Sequence, residues 1–171
     1  MAREFVVRDA LVARAPVERL FLLSTRIELV ERVLGMRPVR GRTTGLVGAG
    51  DTVLWRGWKF GLPVEHESLI DGFEPPVFFR DRMIAGRFAA FQHEHHFIDQ
   101  GDGTVEMRDE LRFTMPWGGL GEGVGRWVMR PHVERLLRRR FALLKRLAEG
   151  EEWRAYLGQG GGGAEGEAVK A

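Results

Sequence analysis

Two histidines and an aspartate in the middle of the chain have the spacing for acid–base chemistry or for orienting a ligand. The segment Phe91-Gln92-His93-Glu94-His95-His96-Phe97 alternates with the period of a strand, and Val105 to Phe113 does so again beyond Gly101-Asp102-Gly103. With the turn placed at Gly101, Phe97 faces Val105, His95 faces Met107, His93 faces Asp109 and Phe91 faces Leu111. Phe91, His93, His95, Phe97, Met107, Asp109, Leu111 and Phe113 then share one face. Glu94, His96, Glu106, Arg108, Glu110 and Arg112 share the other, which must be solvent.

Three chemistries fit the inner face. His93 and Asp109 can be a buried polar pair that only satisfies itself, since buried polar groups need partners. They can be the few polar groups that orient a largely apolar ligand. Or His93 can act as a general base oriented by Asp109. A metal site from His93, His95 and His66 is less favoured, because strand neighbours two apart lie roughly 7 Å from each other and reach one ion only if they converge. No metal and no cofactor is expected.

The elements that position these residues follow from changes of period. Phe5 to Ala13 forms a first strand, with Asp9 falling in phase with the apolar residues. Pro16 opens a short helix through Leu23-Ser24, and a second runs from Ile27 to Leu34, ended by Gly35 with Pro38 as a stop signal. From Gly41 to Pro116, turn signals recur at Gly48-Ala49-Gly50-Asp51, Gly61-Leu62-Pro63, Gly72 with Pro75-Pro76, Ala85-Gly86 and Gly101-Asp102-Gly103. Between them lie strand-forming segments, so this part is an antiparallel meander. Leu120, Val124, Trp127, Val128, Val133, Leu136, Leu137, Phe141, Leu144 and Leu147 then trace a helical stripe, which Pro131 kinks or breaks near Arg130. The class is α+β: a curved antiparallel sheet of about seven strands wrapped round a long C-terminal helix, with two short helices after the first strand.

Composition sets the limits. A chain of 171 residues makes one domain, here residues 1–157, and the Gly-rich stretch 158–171 is expected to be a disordered tail. A net charge of +2 gives no field to recruit nucleic acid. There is no cysteine, which removes disulfides and thiolate ligands. The charged N-terminus and the lack of a long apolar run argue for a cytoplasmic protein with no membrane insertion. Arg135, Arg138, Arg139, Arg140, Lys145 and Arg146 form a basic run, expected to be a solvated helix face. Weak contact with an anionic membrane surface is the alternative, set second because no exposed apolar stripe accompanies the charges. Gly118, Gly119, Gly121, Gly123 and Gly125 lack the Lys-Ser/Thr ending of a phosphate loop and form a flexible approach to the helix.

This element order resembles the START-like (SRPBCC) superfamily of helix-grip proteins over roughly Phe5 to Ala148. Gly61-Leu62-Pro63, Phe73-Glu74-Pro75-Pro76-Val77-Phe78-Phe79-Arg80-Asp81, Gly86, Phe91 to Phe97, Gly103-Thr104 and Asp109 resemble a bacterial ligand-binding, polyketide cyclase-like subfamily. Met83 departs from that pattern, standing where a polar residue is expected. The resemblance implies an apolar cavity between sheet and helix. It would hold a small hydrophobic or amphipathic molecule that is lipid-, quinone- or polyketide-like; a cyclase- or dehydratase-like enzyme using His93 is the alternative. The residues expected to contact the ligand are Trp58, His66, Phe79, Asp81, Met83, Phe91, His93, His95, Met107, Asp109, Phe113, Val133, Leu137 and Phe141. Of Trp55 and Trp58, on opposite faces of one strand, only one can line the cavity.

Overall fold

The computed structural model describes residues 3–158; the expected tail therefore lies, from residue 159 on, outside the described residues. Strand β1 (Glu4–Ala13) leads into helices α1 (Val17–Ser24) and α2 (Ile27–Leu34). Gly35 ends α2 in the left-handed conformation at φ 62°, its N–H donating to the Glu31 carbonyl. Strands β2 (Met36–Gly41), β3 (Thr52–Lys59), β4 (Leu62–Glu74), β5 (Phe78–Ala85), β6 (Ala90–Asp99) and β7 (Val105–Thr114) follow. The sheet is seven-stranded and antiparallel, in the order β1-β7-β6-β5-β4-β3-β2. Pro38 lies inside β2 instead of marking a gap after α2. An edge strand tolerates it, because the missing N–H faces no ladder partner.

The long helix is built in sections: α3 (Gly118–Val124), one π turn (Gly125–Met129) and α4 (Arg130–Glu149), followed by the short α5 (Arg154–Leu157). The break falls just ahead of Pro131, which cannot donate into the preceding turn. Sheet and α4 enclose a core divided into three clusters. One joins α1, the β6–β7 hairpin and the C-terminal half of α4 around Phe21, Phe97, Met107 and Phe141. A second gathers Phe5, Leu111, Phe113, Val133 and Leu137. The third lies under α2 with Met36, Val53, Trp55 and Ile70.

The expected register is corrected by one pleat. Phe97 faces Met107, His95 faces Asp109, His93 faces Leu111 and Phe91 faces Phe113. The turn is centred on Asp102: Gln100 N–H donates to the Thr104 carbonyl, Gly101 and Gly103 both take positive φ, and Asp102 accepts from Thr104. The displacement is by two residues, so every side chain keeps its face.

Glycines at the start of the long helix differ in what they tolerate. A β-carbon on Gly121 would run into the Pro116 carbonyl oxygen, whereas one on Gly123 would meet nothing within 4 Å. Gly121→Ala should therefore cost about 1–3 kcal/mol in urea unfolding. Gly123→Ala should be neutral or stabilise by roughly 0.5–1 kcal/mol through helix propensity.

Candidate functional site

Three side chains from two elements, β6 and α4, converge on Asp109 in β7. His93 Nε2 lies 3.0 Å from its Oδ2, and Arg140 of α4 donates to the same oxygen through Nη1 at 2.9 Å. His95 Nδ1 is 3.1 Å away but off line, so this contact is electrostatic, not a directed hydrogen bond. On its other side, His95 Nε2 meets Asp81 Oδ1 of β5 at 3.3 Å. The His93 and His95 rings sit 3.8 Å apart between centroids, and Phe79 stacks on His95 at 4.1 Å. His66 of β4 packs its ring against Phe91 at 5.0 Å.

Charge decides what this cluster can hold. Burial would raise the Asp109 carboxyl, but the Arg140 guanidinium, with His95 and His93, holds it well below the usual carboxylate range. Asp81 behaves alike: its burial is outweighed by the hydrogen bond to His95 and the nearby imidazoles. Two carboxylates against one guanidinium leave one negative charge. Burial, and then the charge of His95, push His93 below the ordinary histidine value; Asp109 opposes this without reversing it. His93 is therefore neutral at pH 7 with Nε2–H donated to Asp109, which leaves the lone pair on Nδ1. Asp81, His93 and His95 could offer three atoms within 4.8 Å of one another to a metal ion. His93 Nε2 and His95 Nε2 are already engaged by Asp109 and Asp81, and Arg140 stands behind them on Asp109.

The cluster forms part of the wall of a cavity of about 370 Å³ between the sheet and α4. His66, Phe79, Asp81, Phe91, His93, His95, Val133 and Leu137 line it. Asp109, Met107, Phe113 and Phe141 are buried behind that wall, in the core. Trp58 is corrected: it is 69% exposed on the outer face, and Trp55, paired with His66, lines the cavity instead. Met83 is also outside the cavity wall, its sulfur lying against Gly86 at the β5–β6 turn. Arg140, expected in the solvated basic run, is buried. The available signal was its place four residues before Leu144 and seven after Val133, in the phase of the apolar stripe.

No protein-family model matches the sequence, and no curated protein matches it. Solved structures do. TTHA0849 from Thermus thermophilus is 19% identical, with a TM-score of 0.63 over 81% of this chain and 96% of that one. Norcoclaurine synthase from Thalictrum flavum, solved in complex with dopamine and hydroxybenzaldehyde, is 12% identical with a TM-score of 0.63 over 85% and 87%. The di-domain ARO/CYC BexL from the BE-7585A biosynthetic pathway is 16% identical with a TM-score of 0.68, over 86% of this chain and 51% of that one. The chain has the START-like, helix-grip fold. Within this fold, Asp109 ties the sheet to the helix directly behind the cavity.

The pairing with Arg140 changes what substitution should do. Asp109→Leu strands a buried guanidinium and should cost about 3–5 kcal/mol, and His93→Phe cannot restore it. Adding Arg140→Met to Asp109→Leu should recover much of the loss in chemical unfolding. Acidification should act through the imidazoles as well. The folded values of His93, His66 and His132 lie below the ordinary 6.5, so the unfolded chain takes up protons first as pH falls. Stability should thus be full above that value and decline below it, with a second loss below 3.8 as Asp109 is protonated. His93→Phe should flatten part of the first decline in a melting-temperature series from about pH 8 to about pH 5.

Proposed function

We propose that the protein binds a small hydrophobic or amphipathic molecule in the cavity between the sheet and α4. The observation that carries this reading is a largely apolar cavity in whose wall one buried polar cluster, Asp81, His93 and His95, stands among apolar side chains. Its volume of about 370 Å³ lies in the range of small-molecule sites. Ile27, Trp55, Ile70 and Leu137 supply dispersion and desolvation, while the lone pair of His93 and the carboxylate of Asp81 accept hydrogen bonds from a polar end. A lipid-, quinone- or polyketide-like molecule with a hydroxyl fits this distribution.

A second reading is favoured by one observation. His93 is neutral, held by Asp109 in a single tautomer, and adjacent to the cavity, which is the state of a general base. A cyclase- or dehydratase-like reaction would use that lone pair to take a proton from the bound molecule.

Native mass spectrometry of the purified chain should show a co-purified small molecule, and the neutral fluorophore N-phenyl-1-naphthylamine should bind in the cavity. Val133→Trp, which fills the cavity from α4, should weaken probe binding about tenfold or more. Unchanged binding in a folded Val133→Trp protein would remove the cavity reading. His93→Phe should leave probe binding intact. If the second reading holds, that variant should also lose the wild-type ability to speed deuterium exchange next to the carbonyl of 1-tetralone.

A further inference from the structure

Apolar side chains are exposed where the cavity opens. The β3–β4 hairpin carries Trp58, Phe60 and Leu62 at its tip, and the start of the long helix carries Trp117, Leu120 and Trp127. Their exposure runs from 54% at Leu62 to 77% at Leu120. The two protrusions meet across the opening, where the Phe60 ring packs on His132 of α4 at 5.1 Å. Phe60, Leu62 and Trp117 also line the cavity, so the exposed apolar surface continues into the interior. Leu120 and Trp127 were expected in the buried stripe. The π turn after Val124 changes the helical phase, and Gly121 and Gly125 are the residues packed inward, against Met115 and Phe5.

Cations stand around this surface. Lys59, Arg126, Arg135 and Arg139 pair with no carboxylate among the described residues. Lys59, Arg135 and Arg139 lie close enough to push the His132 imidazole down, after its burial, and Arg126 sits over the Trp127 ring at 5.1 Å. We propose that this face docks on an anionic lipid bilayer, with the hairpin tip and the helix start at the interface and the cavity opening toward the lipid. Tryptophan and leucine on a rim with unpaired arginine match the chemistry of the headgroup boundary, where rings settle among the acyl ends and guanidinium groups meet phosphates. Among the described residues no helix is long and apolar enough to cross a membrane, so the contact is superficial. A bilayer, unlike a protein partner, also gives an apolar ligand a path to the cavity without crossing water.

The test uses the full chain and sedimented vesicles, either phosphatidylcholine alone or an equal mixture with phosphatidylglycerol. The protein should sediment with the mixed vesicles at low salt, much less with phosphatidylcholine, and progressively less as salt rises. Leu120→Ser with Trp127→Ser should reduce partitioning about tenfold or more, because both apolar contacts are lost. That variant should keep its melting temperature and N-phenyl-1-naphthylamine binding, since neither side chain lines the cavity. Failure to bind the mixed vesicles, or partitioning unchanged in the double variant, overturns the proposal. So does concentration-dependent dimerisation that the double variant abolishes, which would make a second copy the occupant. Vesicle binding is read without the fluorophore, so an empty cavity and a face that does not dock give separate results.

Discussion

The architecture depends on one buried carboxylate. Asp109 sits in the middle of β7, 2% exposed, and cannot be charged there unless something opposes it. Arg140 does so from α4, and this contact fixes the helix against the sheet at one rotation and one height. The histidines complete the arrangement from β6, with Asp81 behind them on β5. An apolar replacement of the whole cluster could be as stable, but it would not specify which turn of α4 meets which strand. The same pairing keeps polar groups at the cavity wall, because the two imidazoles lie between the buried carboxylate and the open space.

Why a cavity remains follows from how the core is divided. The clusters around Phe141 and around Leu137 close α4 onto β1, β6 and β7. The third cluster, under α2, closes onto β3 and β4 instead. Register shifts between Ile70 and Gly72 and between Pro38 and Arg40 bend the outer strands, as bulges do. The helix cannot fill both halves of so curved a sheet. The unfilled part lies between them, beneath Trp55 and Ile70 on one side and Val133 and Leu137 on the other.

The sequence made the element order, the inner face of β6 and β7 and the His93–Asp109 contact legible, since period-two patterning survives an error of two residues. It set the exact pairing two residues out, because two glycines flank Asp102 and the turn was centred on Gly101. Trp55 and Trp58 could not be separated, as an aromatic on each face of β3 carries no phase; only the pairing of Trp55 with His66 decides. Arg140 was lost in a run of arginines, although its spacing from Val133 and Leu144 marks it as inward. Leu120 and Trp127 failed for the opposite reason. The stripe was extended through a π turn, where residues no longer follow the rotation of an α-helix.

Polarity along the cavity is ordered, and the order bears on how a ligand would enter. His132 at the mouth and Arg140 at the cluster are eight residues apart on α4, or about 12 Å along its axis. The outer end sets Phe60 and Trp117 beside the polar groups of Lys59, Arg87 and His132; the inner end accepts hydrogen bonds through Asp81 and His93. A molecule carrying a polar end inward would pass the apolar stretch of Val133, Leu136 and Leu137 between them, giving up water before it meets its new partners. That stretch raises the cost of the step, since the polar group is desolvated while unpaired. The cost is smaller for a molecule whose polar group is already partly dehydrated when it arrives, because less water remains to be given up.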